Sequence, residues 1–211
     1  MAPATWYGQG IRLIGRTAVE CTRDALANCI ARDIAGIAAR LPKTIHFTII
    51  DPFAGSCNTL YWILRYIPNS QGLACEFDRQ VYERTKRNIA GLDRRIDLQH
   101  GDYQTLLADH HLPPHHGLIF FVAPPWGNAL NEVAGLDLRR STPPITHVVD
   151  YLSRTYPSQE VLFAIQVYEK VDPASLRDVQ ALLDWSELRI YHLNDAGKNH
   201  GILLGTKSWK P

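Results

Sequence analysis

The chain has 211 residues, with 22 Lys and Arg against 21 Asp and Glu, a formal net charge of +1 at pH 7 and 45% hydrophobic residues. That length and apolar content suit one globular core, and the near-neutral balance gives no global electrostatic case for gripping a long phosphate backbone, so nucleic acid is not the expected partner. Cys21, Cys29, Cys57 and Cys75 form no CxxC pair, no charged region leads into an apolar signal core, and no run approaches the roughly 18 apolar residues of a membrane helix, so the expectation is a cytoplasmic chain with reduced thiols and no membrane partner.

Leu26, Ile30, Ile34, Ile37 and Leu41 recur every three or four residues while Arg23, Asp24, Arg32 and Asp33 fall elsewhere, which predicts an amphipathic helix ended by Pro42. From there strand and helix patterns alternate: strand 45–50, helix 59–66, strand 73–77, helix 80–92, strand 96–100, strand 118–122, helix 145–154, strand 161–167 and helix 175–183. Such alternation predicts a doubly wound α/β fold with a mostly parallel sheet, and the continuous apolar runs mark buried central strands. The stretches 187–193 and 202–207 are both strand-like, with a connection too short for a crossover helix. A seven-stranded sheet with an antiparallel last strand is therefore expected. The whole reads as a single domain, with residues 1–42 an N-terminal helical lid segment and 43–211 the core.

Strand ends carry the chemistry-bearing residues. The first strand runs into Asp51-Pro52-Phe53-Ala54-Gly55-Ser56-Cys57-Asn58-Thr59-Leu60, an acid followed by a small-residue turn into a helix, and ligands sit at such carboxyl ends. A GxGxxG phosphate fingerprint is missing from the sequence, so no pyrophosphate cradle is expected. The second strand ends in Cys75-Glu76-Phe77-Asp78, where an acid can accept both hydroxyls of a ribose; Glu76 is the candidate, and Asp78 reads as the cap of the next helix. The third ends in His100-Gly101-Asp102-Tyr103, and the fourth in Val122-Ala123-Pro124-Pro125-Trp126-Gly127, where two prolines hold an aromatic ring rigid.

The segment Asp-Pro-Phe-Ala-Gly-Ser-Cys-Asn-Thr resembles the first signature of class I S-adenosylmethionine-dependent methyltransferases, whose fold is Rossmann-like, and the resemblance extends along nearly the whole chain. Within that superfamily, Ala-Pro-Pro-Trp-Gly, the Gly135-Leu136-Asp137-Leu138-Arg139 segment, the helix expected over 20–35 and the Asn194-x-x-x-Lys198 spacing look similar to trimethylguanosine synthase, the RNA cap guanine-N2 methyltransferase. The resemblance implies S-adenosylmethionine as cosubstrate without a metal. It places Asp51, Phe53, Gly55, Cys57, Glu76, Asp102, Tyr103 and Ala123 around that molecule, with Asp102 on the adenine amino group, a role compatible with capping the helix that follows. Glycine at 55 would let backbone approach the methionine portion. Cys57 stands where most relatives have glycine, so either the loop is wider or the thiol touches the cosubstrate. Trp126 becomes a platform for a planar acceptor, worth about 1–3 kcal/mol per stacked base.

Ala123 departs from the family, because relatives that methylate exocyclic amines place Ser, Asn or Asp there to accept a hydrogen bond. The carbonyls of Ala123 and Pro124 remain as acceptors, and Asn128 and Asn131 are the nearest amides in sequence. Gln166 and Tyr168 after the fifth strand, with Trp6 and Tyr7 folded over from the N-terminal segment, would close an aromatic box suited to a sulfonium ion. The catalytic set expected is thus Asn128, Trp126, Tyr168 and Pro124. The run His110-His111-Leu112-Pro113-Pro114-His115-His116 lacks metal-ligand spacing, and Arg79, Arg84, Lys86, Arg87, Arg94 and Arg95 read as a solvated helix face. The main expectation is methyl transfer to a planar or amine-bearing small molecule. Alternatives are cyclisation of S-adenosylmethionine alone to azetidine-2-carboxylate with release of methylthioadenosine, methylation of an RNA cap guanine, and nucleoside binding without turnover.

Overall fold

Side chains on the central strands alternate between two apolar layers, and that alternation organises the molecule. In this computed structural model, residues 5–41, 46–93, 95–112, 116–131, 133–193 and 199–211 are described. The strands are β1 His46–Asp51, β2 Ser70–Glu76, β3 Ile96–His100, β4 His116–Val122, β5 Leu130–Asn131, β6 Gly135–Leu136, β7 Val161–Tyr168, β8 Trp185–Tyr191 and β9 His200–Lys207. The helices are α1 Thr17–Glu20, α2 Asp24–Ala38, α3 Asn58–Tyr66, α4 Arg79–Ile89, α5 Tyr103–Ala108, α6 Ile145–Thr155 and α7 Pro173–Gln180. Ile49, Ile119, Phe121, Leu162 and Ala164 face one layer with α2 and α3, while Ile50, Phe120, Val122, Phe163 and Ile165 face the other with α5, α6 and α7. Central strands covered on both sides must be apolar throughout, as the sequence of β4 and β7 is.

Seven strands form the main sheet in the order β3-β2-β1-β4-β7-β9-β8, and β5 with β6 makes a separate hairpin. β1 pairs in parallel with β2 and β4, and β4 in parallel with β7, so the winding reverses between β1 and β4. A crevice opens at such a switch point, outside the carboxyl ends. β9 runs antiparallel to both β7 and β8, as expected, which brings its first residue, His200, to the same edge as the last residue of β7, Tyr168.

Three differences from the sequence reading have local causes. The expected helix over 20–35 is two elements, because Cys21–Arg23 leaves the helical path and α2 starts at Asp24. Trp6 and Tyr7 do not fold over the crevice. Trp6 is fully buried against Tyr61, at 4.9 Å between rings, and the backbone N–H groups of Trp6 and Tyr7 donate to the Asp24 carboxylate at 3.1 and 3.2 Å. A large apolar ring gains more in a slot beside α3 than over a wet cleft. Finally, α7 begins at Pro173 rather than 175, with Asp172 accepting from Ser175 N at 2.8 Å, an Asp-Pro start that fits a capped first turn. Pro42 and Ile45 lie outside the described residues.

Candidate functional site

β1 ends at Asp51, and the loop that follows is fixed by backbone bonds on every side. The Asp51 carboxylate accepts from Phe53 N at 3.1 Å, Ala54 N donates to Cys75 O at 3.0 Å, and Cys57 N donates to Ala54 O at 2.7 Å. Gly55 has φ +50°, a conformation that favours glycine, whereas a Cβ there would meet nothing nearer than Thr17 Cγ2 at 3.6 Å. Its backbone angle is therefore a stronger requirement than space within the chain. Cys57 also lies in the left-handed region, at φ 60°, and immediately precedes α3.

The Gly55 peptide is held from both faces. Glu76, at the end of β2, accepts from Gly55 N at 2.9 Å through one oxygen and from Asp78 N at 2.8 Å through the other, while Thr85 on α4 donates to Gly55 O at 2.7 Å. A carboxylate offers about four lone-pair sites, so two backbone bonds leave Glu76 able to accept two more. Asp78 caps α4, accepting from Gln80 N and Val81 N at 2.8 and 3.1 Å. Asp102 likewise caps α5 through Gln104 N at 2.8 Å while still facing the cleft, so capping and facing coexist there.

Burial sets the electrostatics of this end. Asp51 is pushed up to about 7 by desolvation, offset partly by the Phe53 N–H and reinforced by the Glu76 charge. Glu76 is raised too, first by burial, against the lowering effect of the Asp78 and Gly55 N–H groups and of Arg16. A buried carboxyl raised by desolvation and by a neighbouring carboxylate is poised to accept a cation.

These groups line one cleft of about 1350 Å³. Its wall includes Asp51, Phe53, Gly55, Glu76, Asp102 and Tyr103 at one end and Ala123, Pro124, Trp126 and Tyr168 at the other. Of the residues expected to hold the cosubstrate or catalyse, two are not in that wall. Cys57 is fully buried in the α2–α3 layer, and Asn128 is exposed, because the short 3-10 turn Gly127–Ala129 carries it away from Trp126. Asn131 is occupied by its own turn, accepting from Val133 N and Ala134 N at 2.9 Å.

From the N-terminal segment it is residues between Arg16 and Leu26, rather than Trp6 and Tyr7, that line the cleft. Thr22 hooks this stretch to the sheet: its hydroxyl donates to Gln166 Oε1 at 3.0 Å, and its carbonyl accepts from Asn58 Nδ2. Asn58 is 2% exposed, and its buried Oδ1 has no hydrogen-bond partner among the described residues. A buried acceptor without a donor costs roughly 1–3 kcal/mol, so it suits a ligand donor.

Beyond Ala123 the wall becomes aromatic. Trp126 and His200 stack with ring centres 5.4 Å apart and planes 23° apart, and Tyr168 stands edge-on to both, at 6.3 and 6.2 Å. The Gly135–Arg139 segment braces this end. Leu136 N donates to Lys170 O at 2.7 Å, Asp172 N donates to Leu136 O at 2.9 Å, and Arg139 bridges Asp137 and Asp172 at 2.8 and 3.0 Å. Gly135 is required there, since a Cβ would sit 2.5 Å from Lys170 O.

Sequence reasoning missed four contributors. Phe77 is 76% exposed at the cleft mouth, and its position directly after Glu76 was the available signal. Thr22, Thr85 and His200 carry no local signal. Of the basic positions, Arg79, Lys86 and Arg87 are exposed on α4, whereas Arg95 pairs with Asp93 at 2.6 Å and donates to Leu64 O. His110 contacts the Tyr156 hydroxyl at 3.2 Å and His116 stacks on His46, with no group of three metal-ligating side chains among the described residues. Residues 113–115, Arg94, Asn194 and Lys198 lie outside the described residues. Among those described, no helix is long and apolar enough to cross a membrane.

No protein-family model matches the chain, and no curated protein matches it. Solved structures do. The chain superposes on a precorrin-6y C5,15-methyltransferase from Geobacter metallireducens GS-15 with a TM-score of 0.61 at 12% identity, covering 100% of both chains. It superposes on the N-terminal domain of human METTL16 in complex with SAH with a TM-score of 0.61 at 12% identity, covering 94% of this chain and 76% of that one. For human methyltransferase 10 domain containing protein the TM-score is 0.60 at 14% identity, with coverage of 94% and 90%. The seven-stranded sheet with its antiparallel last strand is the Rossmann-like fold of these methyltransferases.

Proposed function

We propose that this chain is an S-adenosylmethionine-dependent methyltransferase acting on a planar, nitrogen-bearing small molecule. The observation that carries the reading is the placement of Asp51, Glu76 and Asp102, at three successive strand ends, in the wall of one cleft that continues into the Trp126, Tyr168 and His200 rings. A METTL16 domain of the same fold is complexed with SAH, the demethylated form of that cosubstrate.

The residues fit the molecule. Glu76 retains acceptor capacity for a ribose diol, and Phe77 with Tyr103 offers flat apolar surface beside Asp102 for adenine. The raised Asp51 carboxyl is an acceptor for an amino-acid ammonium, with the unpaired Asn58 Oδ1 buried beside the cleft. When bound, S-adenosylmethionine supplies an activated methyl group on a sulfonium. The chain's own work is to hold Gly55 and Glu76 rigid, align an acceptor over Trp126, and exclude water along the 16–26 segment. Alanine at 123 leaves the acceptor to be steered by backbone carbonyls and by the aromatic wall.

A small molecule is favoured over RNA because the exposed cations of α4 are not part of the cleft wall, and a nucleic-acid track would need them beside it. Incubation with S-adenosylmethionine alone, followed by mass spectrometry, tests the reaction class. The expected result is no product without acceptor and S-adenosylhomocysteine when a planar amine is supplied. Methylthioadenosine formed without any acceptor overturns methyl transfer in favour of cyclisation.

A further inference from the structure

We infer that His200 is the proton-accepting group of this site, and that the acceptor it serves is a planar, uncharged nitrogen heterocycle or aryl amine. The inference rests on the methyl-transfer reading and adds a residue and an acceptor class to it.

Topology puts the imidazole in the aromatic wall, beside Trp126 and Tyr168. His200 is the first residue of β9, paired in register with Tyr168 at the end of β7 and with Tyr191 at the end of β8. An antiparallel strand begins where its parallel neighbour ends, so His200 faces the same crevice as the carboxyl-end residues and lines the cleft. Its ring is oriented twice over, stacked on Trp126 at 5.4 Å and perpendicular to Tyr168 at 6.2 Å. A side chain held by two aromatic planes loses little further entropy when it engages a substrate.

Among the described residues, the carboxylates that line the cleft sit away from this wall. Asp51, Glu76 and Asp102 each accept backbone N–H bonds at the β1–β3 end, and the exposed Glu20 pairs with Arg16 at 3.1 Å. The strand-end residues from 123 to 127, with 166, 168, 192 and 200, contribute no Asp, Glu, Lys or Arg to the wall at this end. His192 also lines the cleft, but it is exposed. An uncharged wall of flat rings selects a flat, uncharged partner, since a charged one would lose hydration without a counter-ion.

Such acceptors need a base. A conjugated nitrogen is weakly nucleophilic, and the nitrogen that has gained a methyl group must shed a proton. The acceptor nitrogen forms a bond to the methyl carbon, the carbon–sulfur bond breaks with its electron pair passing to sulfur, and the N–H proton passes to the His200 imidazole and then to solvent. Imidazole serves this role near neutral pH, and general-base assistance is worth roughly 10²–10⁴-fold.

The test uses the full chain, S-adenosylmethionine, and indole, 2-aminopyridine, adenosine and guanosine as acceptor probes, with methylated products read by mass spectrometry. S-adenosylhomocysteine binding is measured in parallel by calorimetry. His200→Phe preserves a flat ring against Trp126 and is expected to lose about 10²–10⁴-fold in turnover while keeping S-adenosylhomocysteine affinity within about twofold. His200→Ala is expected to be equally slow and to recover activity when free imidazole is added. Wild-type turnover in His200→Phe, or loss of cosubstrate binding together with activity and no rescue by imidazole, overturns the assignment. Wild-type protein that binds S-adenosylhomocysteine but methylates none of the four probes overturns the acceptor class and leaves the cosubstrate reading standing. Failure of the wild type to bind it at all takes down both.

Discussion

The two ends of the cleft are built on opposite principles. At the ends of β1, β2 and β3, carboxylates and backbone amides form a hydrogen-bonded frame with Glu76 at its hub. At the ends of β4 and β7 and the start of β9, Trp126, Tyr168 and His200 form an aromatic wall with no carboxylate or ammonium from those strand ends. The first end is polar and rigid and spans 51 positions, Asp51 to Asp102; the second is aromatic and spans 77, Ala123 to His200. A polar frame recognises one molecule through fixed bonds, whereas a wall of rings accepts a class of flat ones. On the proposed function, this division puts donor recognition and acceptor choice in separable parts of one cleft.

Glu76 offers the largest break in that division. Glu76→Ala frees the Gly55 peptide and removes the proposed acceptor of two ribose hydroxyls, so S-adenosylhomocysteine affinity should fall by about 100-fold or more, given roughly 1.5–3 kcal/mol for each hydrogen bond to a charged group. Asp78→Ala removes only the α4 cap, at about 1 kcal/mol of stability, and should leave that affinity nearly unchanged. Equal losses in calorimetry would mean that Glu76 is not the ribose acceptor.

Asp51 comes next, through pH. Its carboxyl is raised from 3.8 to about 7 in the folded chain, so between those values the folded state binds the proton that the unfolded state has lost. Stability therefore falls as pH rises from about 4 to about 7 and levels off above, a burden on the order of 2–4 kcal/mol. Asp51→Asn should reduce this slope in denaturant titrations, leaving the smaller part due to Glu76, and be the more stable protein at pH 8. It should also weaken S-adenosylhomocysteine binding roughly tenfold, if the ammonium of that ligand neutralises Asp51. Retention of the wild-type slope in the variant would place the titration elsewhere.

How much of this was legible follows from the same contrast. The β1–α3 loop could be read because acid, turn and helix start fall within ten consecutive residues, and Glu76 because it closes an apolar run. His200 could not, since its meaning comes from pairing with Tyr168 across β7 and β9, which no local pattern encodes. Asn128 was expected in the site through adjacency to Trp126, but a single 3-10 turn is enough to aim neighbouring side chains in different directions. Trp6 and Tyr7 were expected over the cleft because they are aromatic and terminal, whereas a slot beside Tyr61 exists only once α2 and α3 pack.

At the other end, Trp126→Ala should raise the KM of a planar acceptor by about 1–3 kcal/mol equivalent, roughly fivefold to 150-fold, and leave S-adenosylhomocysteine affinity within about twofold. An equal loss for both ligands would show that the ends are not separable.

The smallest effect concerns Cys57, which touches the division from behind. Its left-handed backbone, at φ 60°, costs an L-residue roughly 1–2 kcal/mol, and the fully buried thiol offsets that by packing in the α2–α3 layer. Cys57→Gly relieves the backbone but loses the thiol contact and loosens the unfolded chain, so its stability should lie within about 1 kcal/mol of wild type. Cys57→Ala keeps the strained backbone and vacates the sulfur's space, so it should be the less stable of the two by about 1 kcal/mol in thermal unfolding. Neither should change S-adenosylhomocysteine affinity beyond about twofold, because the side chain points into the apolar layer and the cleft meets Gly55 and Asn58 on either side of it. A matched loss of affinity in both variants would instead bring the thiol into contact with the ligand, and the polar frame would then have to include a sulfur that lies outside its wall.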